Sequence, residues 1–121
     1  MNQLAENYLN YLEEQELTVP YVTGLASIAY KQYKDRLEKA PRACAAYKGS
    51  LRSECLNVFK LKESQNLLRK LQSISRNCAK VKSERVDKCR EKMEAKMTKV
   101  EERISTLEGR LRVIKQKMAR K

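Results

Sequence analysis

The chain carries four cysteines in two pairs, and their spacing restricts the possible folds more than any other feature. Cys44 and Cys55 are eleven positions apart, and Cys78 and Cys89 repeat that interval. In a continuous α-helix this interval is about 1100° of rotation and roughly 16 Å of rise. A disulfide needs its Cα atoms within about 7 Å, so neither pair can close on itself inside a helix. We therefore expect the bonds to run between helices.

Composition and hydrophobic spacing favour an all-α fold. Gly and Pro are scarce, with 3 and 2 among 121 residues, and Lys, Glu, Arg, Leu and Ala are abundant. Thr18-Val19-Pro20 is a typical helix start, and Ala40-Pro41 is a typical break. The pattern predicts four helical segments, at residues 2–16, 18–39, 42 to beyond 55, and from about 64 to as far as 121.

The equal intervals favour one pairing of the cysteines. In two antiparallel helices, residues at the same level have numbers with a constant sum, and both Cys44 with Cys89 and Cys55 with Cys78 sum to 133. The opposite pairing would need parallel helices. The sequence therefore predicts an antiparallel α-hairpin over 42–90 that is held by two disulfides, with its turn near 64–67.

Other arrangements stay open. The predicted turn contains no Gly or Pro, so an unbroken helix over 42–121 with free thiols is also compatible with the sequence. Structural zinc normally uses cysteines two to four residues apart, often with His, and this chain has no His. A redox-active Cys-x-x-Cys pair is absent too.

The twin spacing resembles the twin Cys-x9-Cys, or coiled-coil-helix-coiled-coil-helix, family of the mitochondrial intermembrane space. The resemblance covers about residues 42–90, and this chain departs from it in having ten residues inside each pair. It implies entry without a presequence and trapping by an oxidoreductase relay, with the four cysteines as the family's bonded positions. Residues 1–41 and 91–121 would then be an N-terminal helical extension and a basic C-terminal helix.

The family's import signals place aromatic and hydrophobic residues beside a docking cysteine. Tyr47 and Leu51 stand in this relation to Cys44, and Leu51 and Phe59 flank Cys55. These three residues are candidates for such a signal. The alternative is that they pack the interior of the hairpin.

The last thirty residues contain a heptad seam. Its apolar members recur at alternating intervals of four and three, as in coiled coils; they are Met93, Met97, Val100, Ile104, Leu107, Leu111, Ile114 and Met118. Such a stripe must be covered. The candidates are residues 1–39 of the same chain, a helix of another subunit, and a second copy of the chain.

Charge is unevenly distributed along the chain. Residues 1–30 carry four Glu and no Lys or Arg, whereas residues 31–121 carry 27 basic and 11 acidic residues. No stretch approaches the ~20 apolar residues that span a bilayer, so we expect a peripheral location at most. The basic surface suits acidic proteins or anionic lipid head groups. It fits RNA less well, because Phe59 is the only aromatic residue after Tyr47.

Catalytic signatures are missing from the sequence, which has no His, no phosphate loop and no nucleophile motif. We therefore expect no enzyme activity, cofactor or metal. The resemblance implies a structural subunit on the intermembrane-space side of a respiratory-chain complex, complex I first and cytochrome c oxidase next. The alternatives are a mitochondrial ribosomal protein that contacts rRNA, and a free assembly factor.

Overall fold

The computed structural model describes residues 17–120, which form an all-α fold of three long helices and one short one. Helix α1 is Val19–Leu37, α2 is Ala40–Ala43, α3 is Gly49–Ser75 and α4 is Val86–Ala119. Two 3₁₀ turns, Arg76–Lys80 and Ser83–Arg85, connect α3 to α4. The predicted segment 2–16 lies outside the described residues.

Helix α1 begins and ends close to where the sequence predicts. The Thr18 side chain caps it by accepting a hydrogen bond from the Tyr21 amide, and Pro20 lies in the first turn. Its buried face recurs at helical spacing and consists of Val19, Val22, Ala26, Ala29 and Tyr33. Lys34 and Arg36 in the last turn complement the negative end of the helix dipole.

Helices α3 and α4 form an antiparallel hairpin. Residues 76–85 connect them, and far from this connection Lys60 of α3 and Leu107 of α4 line the same cavity. The predicted turn near residues 64–67 is wrong, because α3 runs through it without interruption and buries Ser64 and Leu67. A helix is the expected outcome locally, since this stretch contains no helix-breaking residue.

The predicted third helix, from 42 past Cys55, is also wrong. The chain leaves α2 at Cys44, reverses over residues 45–48 and starts α3 at Gly49. Gly49 has a φ of 62°, and no other described residue has a positive φ. Glycine adopts this left-handed conformation without the steric cost that a Cβ imposes.

One hydrophobic core joins α1, α3, α4 and the turn between the last two. Its fully buried side chains include Val22 of α1, Leu71 of α3, Met93 of α4 and the bonded Cys78 and Cys89. The boundary predicted at residues 90 and 91 falls inside α4. Residues 42–90 and 91–120 therefore share their packing.

Candidate docking surfaces

Both cysteine pairs are closed, each on itself. Cys44 is bonded to Cys55 with a Cα–Cα distance of 5.8 Å, and Cys78 is bonded to Cys89 with a Cα–Cα distance of 5.5 Å. All four cysteines are therefore bonded, as predicted, but the predicted pairs, Cys44 with Cys89 and Cys55 with Cys78, are wrong. The physical reason is that neither interval is a continuous helix, since each contains a chain reversal that brings its ends together.

The two disulfides staple neighbouring elements of the hairpin. The first ties the end of α2 to the second turn of α3, and the second ties the 3₁₀ turn after α3 to the first turn of α4. The disulfide-stapled, all-α hairpin fold is thus confirmed, with staples at opposite ends of α3.

The heptad seam of α4 faces the helices of its own chain. Met93, Val100, Leu107 and Leu111 are buried, and the other four members are partly buried. Of these, Met97 and Ile104 pack against the core that α1 and α3 share with α4. Met93 and Val100 belong to that core, so these two members of the seam pack within the described fold, and a partner helix on the remainder of the seam stays a prediction.

A polar cluster with a buried Tyr33–Ser64 pair joins the three long helices. The Tyr33 hydroxyl of α1 lies 3.0 Å from the Ser64 hydroxyl of α3 and accepts a hydrogen bond of 2.9 Å from the Arg103 guanidinium of α4. This hydrogen bond raises the pKa of Arg103 above its usual value, against a smaller opposing effect of desolvation. The cluster satisfies the buried hydroxyls and fixes the level of the three helices relative to one another. Sequence periodicity gives no sign of it.

An apolar patch lies beside the first disulfide. We define the apolar patch as Tyr47, Leu51, Val58 and Phe59, which line one depression of about 350 Å³ together with Cys55, Glu54 and Lys62. Tyr47 is 47% exposed and Leu51 is 51% exposed. The structure therefore brings the three import-signal candidates together, and it shows that Tyr47 and Leu51 do not pack inside the hairpin. Their role in import stays a prediction.

A basic groove runs between α1 and α4. We define the basic groove by the side chains that line it: Ala26, Ser27, Tyr30, Lys31, Lys34, Lys96 and Lys99. Ala26 is buried and Tyr30 is half-buried, so the floor is largely apolar, while two lysines from each helix form the rims. The groove has a volume of about 430 Å³.

Among residues 17–120, no group of three or more potential metal ligands comes together. None of the described helices is both long enough and apolar enough to span a bilayer. Comparison with known protein families, with curated proteins and with solved structures finds no match. The class that the fold defines is an all-α, disulfide-stapled helical hairpin.

Proposed function

We propose that the protein is a non-catalytic structural subunit that joins a larger protein assembly through the apolar patch. The observation that carries the proposal is the exposure of Tyr47 and Leu51 beside a disulfide that fixes the backbone beneath them. An exposed apolar cluster on a rigid support is typical of a site where another protein binds.

The charge around the apolar patch indicates the kind of partner. Lys48 and Arg52 are exposed neighbours of Tyr47 and Leu51 in the chain, and Lys62 lines the same depression. Glu54 is the one acidic residue of the lining. A partner that presents an apolar side chain flanked by carboxylates complements this surface in both shape and charge.

The two disulfides support an oxidising compartment, because such bonds rarely persist among reducing thiols. The twin spacing suggests the mitochondrial intermembrane space, where the assembly would be a respiratory-chain complex of the inner membrane. Complex I is favoured over cytochrome c oxidase. The bonds within each pair differ from the hairpin-spanning bonds of the twin-cysteine family, so this finer assignment rests on the spacing and on the basic α4.

Native gel electrophoresis of detergent-solubilised mitochondria tests the proposal. We expect the wild-type chain to migrate with a respiratory complex, and Leu51→Asp to release it. Ile28→Asp is the matched control, because Ile28 is 57% exposed on α1, outside the apolar patch.

Three results would contradict this proposal. Equal migration of the two variants excludes the apolar patch as the docking site. Co-sedimentation with ribosomal RNA that nuclease or high salt abolishes favours the ribosomal alternative. Migration of the wild-type chain at its own mass favours a free factor.

A further inference from the structure

One flank of α4 carries basic side chains along most of the helix. They recur at intervals of three, four and seven, which keeps them on the same side. We define the basic flank as these five residues: Lys96, Lys99, Arg103, Arg110 and Lys117. Lys96 is half-buried and the other four are exposed. The basic flank is about 32 Å long.

The basic groove lies at the start of this flank. Lys96 and Lys99 of α4 line it together with Lys31 and Lys34 of α1. Positive charge at this level therefore belongs to a face two helices wide. None of the residues that line the groove is Asp or Glu.

A second cavity continues the basic flank beyond the groove. Arg103 and Arg110 line this cavity of about 470 Å³ together with Lys60 of α3, again without Asp or Glu in the lining. The Arg103 guanidinium is held in place, because it donates a hydrogen bond of 2.9 Å to the Tyr33 hydroxyl and lies 5.7 Å from the centroid of the Tyr33 ring. A guanidinium has five N–H donors, so this bond leaves others for an anion.

The described part of the chain does not neutralise these charges. Over residues 17–120 the one ion pair within 4.0 Å joins Arg36 to Glu63, outside the basic flank. Cations that share a face repel one another, so an anionic ligand would stabilise this arrangement. Arginine forks match the oxygens of a phosphate group, and lysines add positive charge around them.

The shape of the face favours a lipid bilayer as the source of phosphate. A continuous helix can lie along a flat surface over its whole length, whereas a nucleic-acid duplex winds through a full turn in about 34 Å and diverges from it. Single-stranded RNA needs aromatic rings for stacking, but Tyr30 is half-buried and Tyr33 is buried. A protein interface needs an apolar centre, and Val113 is the one large apolar side chain exposed on α4 within residues 86–119.

We propose that the basic flank, with Lys31 and Lys34 of α1 and Lys60 of α3, docks on the head groups of an anionic phospholipid bilayer. Helix α4 then lies parallel to the membrane plane. Arg103 and Arg110 receive lipid phosphates, and the lysines add attraction to the charged leaflet. Nucleic acid is the competing ligand.

Co-sedimentation of the full-length chain with vesicles tests the proposal. We expect binding to phosphatidylcholine vesicles that contain about one third phosphatidylserine, and none to pure phosphatidylcholine, because the attraction requires an anionic leaflet. The affinity should fall as salt rises, because the screening length shortens from ~10 Å at 0.1 M to ~3 Å at 1 M salt.

Two double variants of equal net charge make the test specific. A basic side chain near an anionic leaflet raises affinity about fivefold, so Lys99→Gln with Arg110→Gln should lower it about 25-fold. Arg112→Gln with Lys115→Gln removes two charges that lie roughly 140–160° away around α4, and should lower it less than about fivefold. All four side chains are exposed, so thermal unfolding of both variants should match the wild type.

Lysine acetylation, read by mass spectrometry, locates the contact in the wild-type chain. Anionic vesicles should protect Lys99 and Lys117 from the reagent. Lys115 is exposed on another side of α4, so its reactivity should stay the same with and without vesicles.

Three results overturn the proposal. Equal losses of affinity in the two double variants would show attraction by net charge alone. Protection of Lys115 to the same extent as Lys99 would exclude an oriented face. Absence of binding to the anionic vesicles excludes the bilayer, and protection of Lys99 by added RNA would then assign the basic flank to nucleic acid.

Discussion

The two disulfide loops have the same length but are held by different forces. In the loop from Cys44 to Cys55, a glycine with positive φ makes the reversal, and the surrounding residues 45–49 are exposed. In the loop from Cys78 to Cys89 there is no Gly or Pro, yet both cysteines and Val81 are buried. The local sequence therefore specifies the first chain reversal, whereas tertiary packing holds the second.

Removing each disulfide should give the largest effects and should separate the two loops. Loops of this length lose about 3 kcal/mol of stabilisation when the crosslink is cut, so Cys44→Ala with Cys55→Ala should cost about that much. Cys78→Ala with Cys89→Ala should cost about 1 kcal/mol more, because both cysteines of this pair are fully buried, whereas in the first pair Cys44 is fully buried and Cys55 is half-buried. Denaturant unfolding measures both. Equal losses would contradict the assignment of the second loop to the core.

Truncating Val81 should have the next largest effect. Val81 is 6% exposed and packs in the core at the point where Leu17 pairs with the turn. Val81→Ala should cost about 1–2 kcal/mol from lost burial and an unfilled cavity. Ala46→Gly, in the exposed first reversal, is the comparison and should cost less than half as much. Thermal unfolding distinguishes them, and a neutral Val81→Ala would show that packing does not hold the second turn.

Replacing Gly49 should give the smallest change in the free energy of unfolding. Whether that change is destabilising or stabilising tests whether the local sequence specifies the first loop. Gly49→Ala should destabilise the fold by about 1 kcal/mol, because an L-residue adopts this φ at a cost. No atom would clash with the new Cβ, so the cost is conformational. Gly24→Ala, also with open space around it but inside α1, should instead stabilise by about 0.5–1 kcal/mol. Two changes of the same sign would contradict this account.

The same contrast explains how much of the structure could be predicted from sequence. Helix α1 follows its cap, its Pro and its apolar period, and the buried stripe of α4 follows its heptads. The end of α3 at Ser75 has no local signal, because the break that follows is held by the Leu17–Lys80 hydrogen bond and the burial of Cys78 and Val81. Because the sequence gives no sign of this break, the equal cysteine intervals predict bonds across a hairpin instead of bonds within each pair.

The apolar patch and the basic groove also differ in how well the sequence predicts them. Tyr47, Leu51 and Phe59 could be selected from the sequence because they stand beside Cys44 and Cys55 as the import signals of the twin-cysteine family stand beside a docking cysteine. The basic groove could not be predicted, since Lys31 and Lys34 are far from Lys96 and Lys99 in sequence and meet only when α1 packs beside α4.

Peptide mapping under non-reducing conditions tests the central claim, which is that each cysteine pair closes on itself. Trypsin cuts inside both intervals, so the bonds can be read directly from linked peptides. The structure predicts ACAAYK, residues 43–48, linked to SECLNVFK, residues 53–60, and NCAK, residues 77–80, linked to CR, residues 89–90. Recovery of ACAAYK linked to CR and SECLNVFK linked to NCAK, or of four free thiols, would contradict it.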